Sequence, residues 1–238
     1  MNRQILSLMT AAMVLMTAFA SCSKDNNSKK DDPGGGGGAL QINATVVDGN
    51  EYNGKVTTVK AWMGIDGNEY VAASGKYANG GFKLTLPETV PAKYLDDISG
   101  VFDEDFEGTI SDKKAKIGGF GAIIAYDSQD RDIGDFSQED YENDSWVGYM
   151  YVDRDVTVKG SLSYYDDYEY WTERFDFSFT KGWNIFYGIE KGNEVIISTK
   201  KPAGTNYKWY GYISDYNWKK SPNDRQHPFS KVRQCAQK

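Results

Sequence analysis

Apolar and polar residues alternate over residues 40–47 (Leu-Gln-Ile-Asn-Ala-Thr-Val-Val), the period-two signature of a half-buried strand. Asp48-Gly49 follows, a turn dipeptide that favours a hairpin. Residues 55–63 read as a second strand ending in Ala61-Trp62-Met63, and Asp66-Gly67 turns the chain into a third, residues 69–73. The string Asp-Gly-Asn-Glu-Tyr occurs at both 48–52 and 66–70, which we read as two similar hairpin turns rather than a repeat family. After Asn79-Gly80, Phe82, Leu84 and Leu86 share one face of a fourth strand. Residues 91–98 suit one or two helical turns, because Pro91 is tolerated where its missing N–H has no intrahelical partner. Residues 101–116 read as acidic and irregular, residues 117–126 as one buried strand, and residues 127–144 as a long acidic loop.

The second half reads as strands throughout: residues 146–152, 156–165, 171–180, 183–190, 194–199 and 207–213. Phe175, Phe177 and Phe179 give the cleanest alternation in the chain, and each ring contributes about 1.5–3 kcal/mol if buried. Lys181-Gly182 and Lys191-Gly192 fit hairpin turns. With 17 Tyr, 11 Phe, 6 Trp and 25 Gly, the composition is that of strands and turns. The expected fold is an all-β β-sandwich of about eleven or twelve short strands. One continuous unit is favoured over two tandem sandwiches, because the first segment is too short to close its own core. A boundary near residues 100–115 is the alternative.

The N-terminus follows another pattern. Arg3 is the one charge before Lys24, and residues 5–20 are largely apolar, the length of a signal-peptide core rather than a membrane span. Phe19-Ala20-Ser21-Cys22 ends it. This resembles the bacterial lipoprotein lipobox, in which small residues precede a Cys that receives the lipid. The family pattern prefers Leu at the position of Phe19 and Gly or Ala at that of Ser21, and these departures resemble the looser lipoboxes of Bacteroidota-type surface lipoproteins. Ser23-Lys24-Asp25, with Asp31-Asp32 further on, loosely resembles the surface-export signal of that group. The resemblance implies a chain lipidated at Cys22, attached to the membrane (palmitate among the acyl chains) and held at the outer membrane, facing outward. Several acyl chains together anchor stably, whereas a single one is marginal.

The chain is thus expected to divide into a signal peptide (1–21), a lipidated Cys with a Gly-rich tether (22–38), a β-sandwich (39–218) and a basic tail (219–238). The tether has five consecutive glycines after Pro33 and nothing apolar to bury, so it spans roughly 20–25 Å as a flexible coil. Residues 40–90 resemble a carboxypeptidase-regulatory or transthyretin-like β-sandwich, where a Gly-Phe-x-Leu-x-Leu-Pro stretch closes an early hairpin. That resemblance implies a scaffold and brings no catalytic residue. Residues 149–160, 181–187 and 208–210 look like an arrangement that recurs in Bacteroidota lipoproteins, and imply no activity.

Charge narrows the functions. The formal net charge is −7, and −8 once residues 1–21 are removed, which argues against nucleic acid as a partner. Residues 96–145 hold fifteen acids and four bases, whereas residues 200–238 hold nine bases and two acids. The two regions either neutralise each other or meet charged partners. The cysteines are Cys22 and Cys235, so with the first lipidated no intramolecular disulfide is expected. A single histidine, His227, excludes a multi-histidine metal site and leaves little room for a Ser-His-Asp mechanism.

Two aromatic and acidic clusters supply the candidate chemistry: residues 164–171 and residues 207–218. Sugar recognition needs flat rings to stack on and carboxylates or amides to bond the hydroxyls. Tyr168, Trp171, Trp209 and Trp218 are the candidate ligand-binding residues. The bland alternative is that alternate rings are core and the rest cover strand edges. Asp130, Asp132 and Asp135 form a Ca²⁺ candidate, since hard cations take clustered oxygens, although their spacing does not match an EF-hand loop. No catalytic residue is assigned, and glycoside hydrolysis by paired carboxylates is carried only as a remainder. The expected role is non-catalytic binding of a glycan or other extracellular ligand. The alternative is a structural or accessory subunit of a surface complex or adhesive fibre, joined to protein partners by strand addition.

Overall fold

A computed structural model describes residues 39–64, 69–102, 105–166 and 169–214, with the side chains of 166 and 169 left out. Strand β1 (Gln41–Thr45) buries Ile42 and Ala44 and exposes the polar residues between them. β2 (Thr58–Met63) likewise buries Val59, Ala61 and Met63. β3 (Tyr70–Ala78) and β4 (Gly81–Thr85) form a two-residue hairpin. Asn79 and Gly80 both take positive φ (53° and 72°), the geometry that matches the twist of the flanking strands. The 91–98 region gives a 3-10 turn at Ala92–Tyr94, the two-residue β5 (Asp96–Asp97) and the one-turn helix α1 (Ile98–Val101).

Three features depart from the sequence pattern. Within the stretch expected to be irregular lies β6 (Glu107–Ile110), a polar edge strand paired with one neighbour. Residues 117–126 are two strands, β7 (Lys116–Phe120) and β8 (Ala122–Tyr126), separated at Gly121. The expected acidic loop contains the nine-residue β9 (Asp132–Asp140). The remaining strands fall close to expectation: β10 (Ser145–Val152), β11 (Val156–Asp166), β12 (Glu169–Phe179), β13 (Gly182–Lys191), β14 (Glu194–Ser198) and β15 (Lys208–Ile213). Fifteen strands are thus present among the described residues, rather than eleven or twelve.

The fold is all-β and sandwich-like. One continuous sheet runs β1-β4-β3-β2-β8-β9-β10-β13-β14-β12-β11-β6, with β15 beside β9, β7 beside β10 and β5 beside β7. All described residues fall in one compact unit. The break at Gly121 lets one chain segment serve two places. β7 pairs with β10, and β8 pairs with β2 and β9.

The sheet wraps two apolar cores. In the first, Phe136 of β9 is fully buried, stacked on Tyr77 at 5.1 Å and flanked by Phe82 at 5.4 Å. β15 returns to close it: the Val47 N–H donates to the Trp209 carbonyl at 2.9 Å, beside a parallel bridge from Val46. In the second core Phe175, Phe177 and Phe179 line one face of β12 as the alternation requires, and Phe102 packs edge-on against Phe175 at 5.0 Å. β10 and β13 serve both. Val147, Tyr149, Tyr151, Trp183 and Tyr187 belong to the first core, whereas Met150, Val152 and Phe186 belong to the second. Strands buried on both faces cannot show clean alternation, and β10 reads as a nearly continuous apolar run.

Candidate functional site

The outward face of β9 carries Asp135, Ser137 and Glu139, while Phe136 points to the core. Across the antiparallel ladder, β15 sets Tyr212 opposite Asp135, Tyr210 opposite Ser137 and Lys208 opposite Glu139. Residues directly opposite share a face, so both tyrosines stand outward among carboxylates. Trp209 has the other phase. It is 6% exposed and meets Phe82 edge-on at 5.2 Å. Its expected role as a stacking platform is therefore corrected: the ring is core, because strand phase turns it inward.

A hydrogen-bond chain fixes this face. Ser137 donates to Glu139 Oε1, and the Tyr212 hydroxyl donates to Glu139 Oε2 at 2.7 Å. The Tyr141 hydroxyl completes the chain by bonding the Tyr212 hydroxyl. The Tyr141 ring also packs on Tyr210, with centroids 4.4 Å apart. Loss of hydration raises the pKa of both Tyr141 and Tyr212, and the Glu139 carboxylate adds to the effect. Both phenols are consequently neutral donors at ordinary pH, yet both rings remain about half exposed.

The turn after β9 is held by Asp140. Its carboxylate accepts from the Asn206 N–H at 2.6 Å, the Asn143 side chain at 2.8 Å and the Glu142 N–H at 3.1 Å. These donors, the Asn206 N–H foremost, hold the carboxyl below its usual range against the opposing effect of burial. The turn delivers Ser145 and Trp146. Ser145 donates to the Gly188 carbonyl at 2.8 Å. Trp146 lies flat across Gly188, where a Cβ would come within 2.1 Å of the indole. Glycine at 188 is what lets the ring lie there.

Between these parts opens a cleft of about 540 Å³. Tyr141, Tyr212 and Trp146 line it, and Val195, Ile197 and Glu173 reach it from β14 and β12. Glu173 is 3% exposed and accepts from the Tyr164 hydroxyl at 3.2 Å. The volume lies within the range usual for small-ligand pockets. Chemically, the cleft offers ring faces and carboxylate acceptors.

Other expected site residues lie elsewhere. Trp171 is half-buried against the second core and is not part of the cleft lining. Tyr168, Trp218 and Cys22 lie outside the described residues, as do His227 and Cys235. The three aspartates of the Ca²⁺ candidate do not form a ligand set. Asp130 pairs with Lys60 at 2.6 Å, the Asp132 carboxylate accepts from the Gly134 N–H at 3.1 Å, and Asp135 belongs to the cleft. Among the described residues no group of three or more His, Cys, Asp or Glu is placed to hold a metal. Tyr141, Trp146, Glu139, Glu173 and Glu190 belong to the cleft but are not marked by the alternation of the sequence. Tyr210 and Tyr212 lie inside the 207–218 cluster, whose tryptophans are the expected binders. The spacing Tyr-Gly-Tyr, out of phase with Trp209, was the available signal. Comparison of the chain with protein families, with curated proteins and with solved structures found no match.

Proposed function

We propose that this chain is a non-catalytic, lipid-anchored protein of the bacterial outer-membrane surface, and that its cleft binds an extracellular saccharide. One observation carries the binding assignment: half-exposed Tyr141 and Tyr212 stand beside Glu139 in the lining of a ligand-sized cleft. Sugar rings present apolar C–H faces that stack on aromatic rings, and equatorial hydroxyls that donate to carboxylates. The arrangement is also pre-organised, since the hydrogen-bond chain from Ser137 to Tyr141 fixes the two rings and the Glu139 carboxylate before a ligand arrives. Anchoring and surface display rest on the lipobox-like run ending at Cys22 and the glycine tether after it.

A glycan array probed with the full chain in detergent tests the assignment. Binding that disappears in Tyr212→Ala and Tyr141→Ala, with folding retained, is the expected result. Binding that survives both substitutions places the site elsewhere.

A second reading has its own observation. The β11–β12 hairpin outruns its neighbours: β6 pairs only with residues 158–161 and β14 only with residues 172–176. Beyond them Tyr165 and Tyr170 face each other across the hairpin, 63% and 66% exposed, their centroids 6.1 Å apart. Such a projecting ribbon suits strand addition by a protein partner in a surface assembly. Capture of a defined surface protein that fails with Tyr165→Ser/Tyr170→Ser favours this reading over the cleft.

A further inference from the structure

The cleft is polar in one sense only. Six carboxylate residues line it: Asp135, Glu139, Asp140, Asp144, Glu173 and Glu190. None of the described residues lining it is Lys, Arg or His. Lys208, opposite Glu139 on the ladder, offsets one charge of the six at the rim. Asp140 remains ionised because its donors hold its pKa down, although those donors also occupy it. Glu173 is sequestered from water. Asp144 and Glu190 are the exposed pair, brought together where the Glu190 N–H donates to the Asp144 carbonyl at 2.9 Å. A recess lined by one sign of charge focuses its field and concentrates ligands of the opposite sign. The accompanying rings are tyrosine and tryptophan, whose faces are also negative and attract cations.

Resting on the saccharide reading above, we propose that the ligand is an amino sugar in its free, protonated form: a saccharide whose ammonium groups meet Asp144, Glu190 and Glu139 while its ring faces meet Tyr212 and Trp146. A sulfated or uronic-acid glycan would be repelled by the same field. A neutral glycan would leave several carboxylates partly desolvated with no compensating charge, which is costly.

The test is calorimetric titration of the full chain in detergent with three probes at about pH 6, where ordinary carboxylates are ionised. The probes are glucosamine oligomers with free amines, N-acetylglucosamine oligomers of the same length, and an oligolysine of matched charge. The free-amine oligomer is expected to bind at least about tenfold tighter than either other probe, because charge-assisted bonds are added to ring contact. Its affinity should fall as salt shortens the screening length. The double variant Asp144→Asn/Glu190→Gln should weaken it about tenfold or more, while the acetylated oligomer binds no more weakly than to the parent. Glu88→Gln, an exposed charge outside the cleft lining, should leave both unchanged. Both cleft substitutions are isosteric and exposed, and Asn tolerates the positive φ at 144, so the fold is retained. Equal or tighter binding of the acetylated oligomer overturns the cationic assignment while the saccharide reading stands. Oligolysine binding as tightly as the amino sugar overturns the saccharide part. Binding of none of the three overturns the inference, and a blank glycan array beside it overturns the saccharide reading as well.

Discussion

Replacing Trp209 with Ala separates core from site more sharply than any other single change. The indole is 6% exposed, set edge-on to Phe82 at 5.2 Å, on the strand whose backbone joins Val47 to close the first core. Truncating a buried Trp costs about 3–5 kcal/mol, the lost transfer energy plus a cavity that relaxes only in part. At a urea slope of about 2 kcal/mol/M, the unfolding midpoint should fall by roughly 2 M. Trp209→Phe keeps an aromatic edge against Phe82 and should cost about 1–2 kcal/mol. Urea titration followed by far-UV circular dichroism measures both. Ligand affinity of the Phe variant, measured where it is fully folded, should match the parent. A midpoint shift of less than about 0.5 M in Trp209→Ala together with abolished binding would show the ring serving a ligand rather than the core.

Other outcomes follow from groups already placed. Asp140 has a lowered folded pKa, so its stabilisation is complete above the ordinary carboxylate range and drains away as pH falls below about 4. The stability gap between the parent and Asp140→Asn should therefore shrink on acidification, read from urea midpoints at successive pH values. Burial pushes the Tyr77 hydroxyl up to about 12. Its contribution is intact below about pH 10 and is lost as pH rises through 12, so Tyr77→Phe should flatten the alkaline limb of the stability profile. At neutral pH that variant should be about 1 kcal/mol less stable, having lost the 2.7 Å bond to the Gly49 carbonyl. Gly188→Ala drives a methyl into the Trp146 indole and should cost about 1–3 kcal/mol, with a changed near-UV dichroism signal from the displaced ring. Cys22→Ser should shift the chain from the membrane fraction to the soluble one, and retention in the membrane would remove the case for lipidation.

What the residue pattern revealed depended on whether a strand had one buried face. β1, β2, β4 and β12 do, and their alternation is plain in Ile42 and Ala44 or in the Phe175–Phe179 run. β9 is central in the sheet, yet its sequence, Asp-Ile-Gly-Asp-Phe-Ser-Gln-Glu-Asp, contributes one large core residue, Phe136. Its outer face is the wall of the cleft, so the carboxylates that obscured the strand are the ones that make the site. The split between β7 and β8 was equally hidden, since a buried run such as Ile-Gly-Gly-Phe-Gly-Ala-Ile-Ile-Ala does not say where pairing changes partner. The Tyr207–Trp218 cluster was visible as composition. Which of its rings face outward was not, because phase along β15 is set by pairing with β9, a strand the pattern had concealed. Glu173 and Glu190 come to the cleft from strands far along the chain, a juxtaposition that only the sheet order supplies.

The closing contact between the two ends of the first core also has a consequence in time. Tyr52 donates to the Gly211 carbonyl at 3.0 Å, across 159 positions of sequence, and Val47 meets Trp209 over a similar separation. For a polypeptide that emerges from a ribosome or a translocation channel with its first residues leading, the opening hairpins wait with an open seam until the last described strand is released. Pairings so distant in sequence make for slow acquisition of structure. During that wait the rims of β1 and β9 are bare templates for strands of other molecules. The interval between emergence of the first hairpin and arrival of β15 is therefore when this chain most needs a holdase chaperone, and a shortage of one should show first as aggregates of the newly made protein rather than as failure of the finished fold.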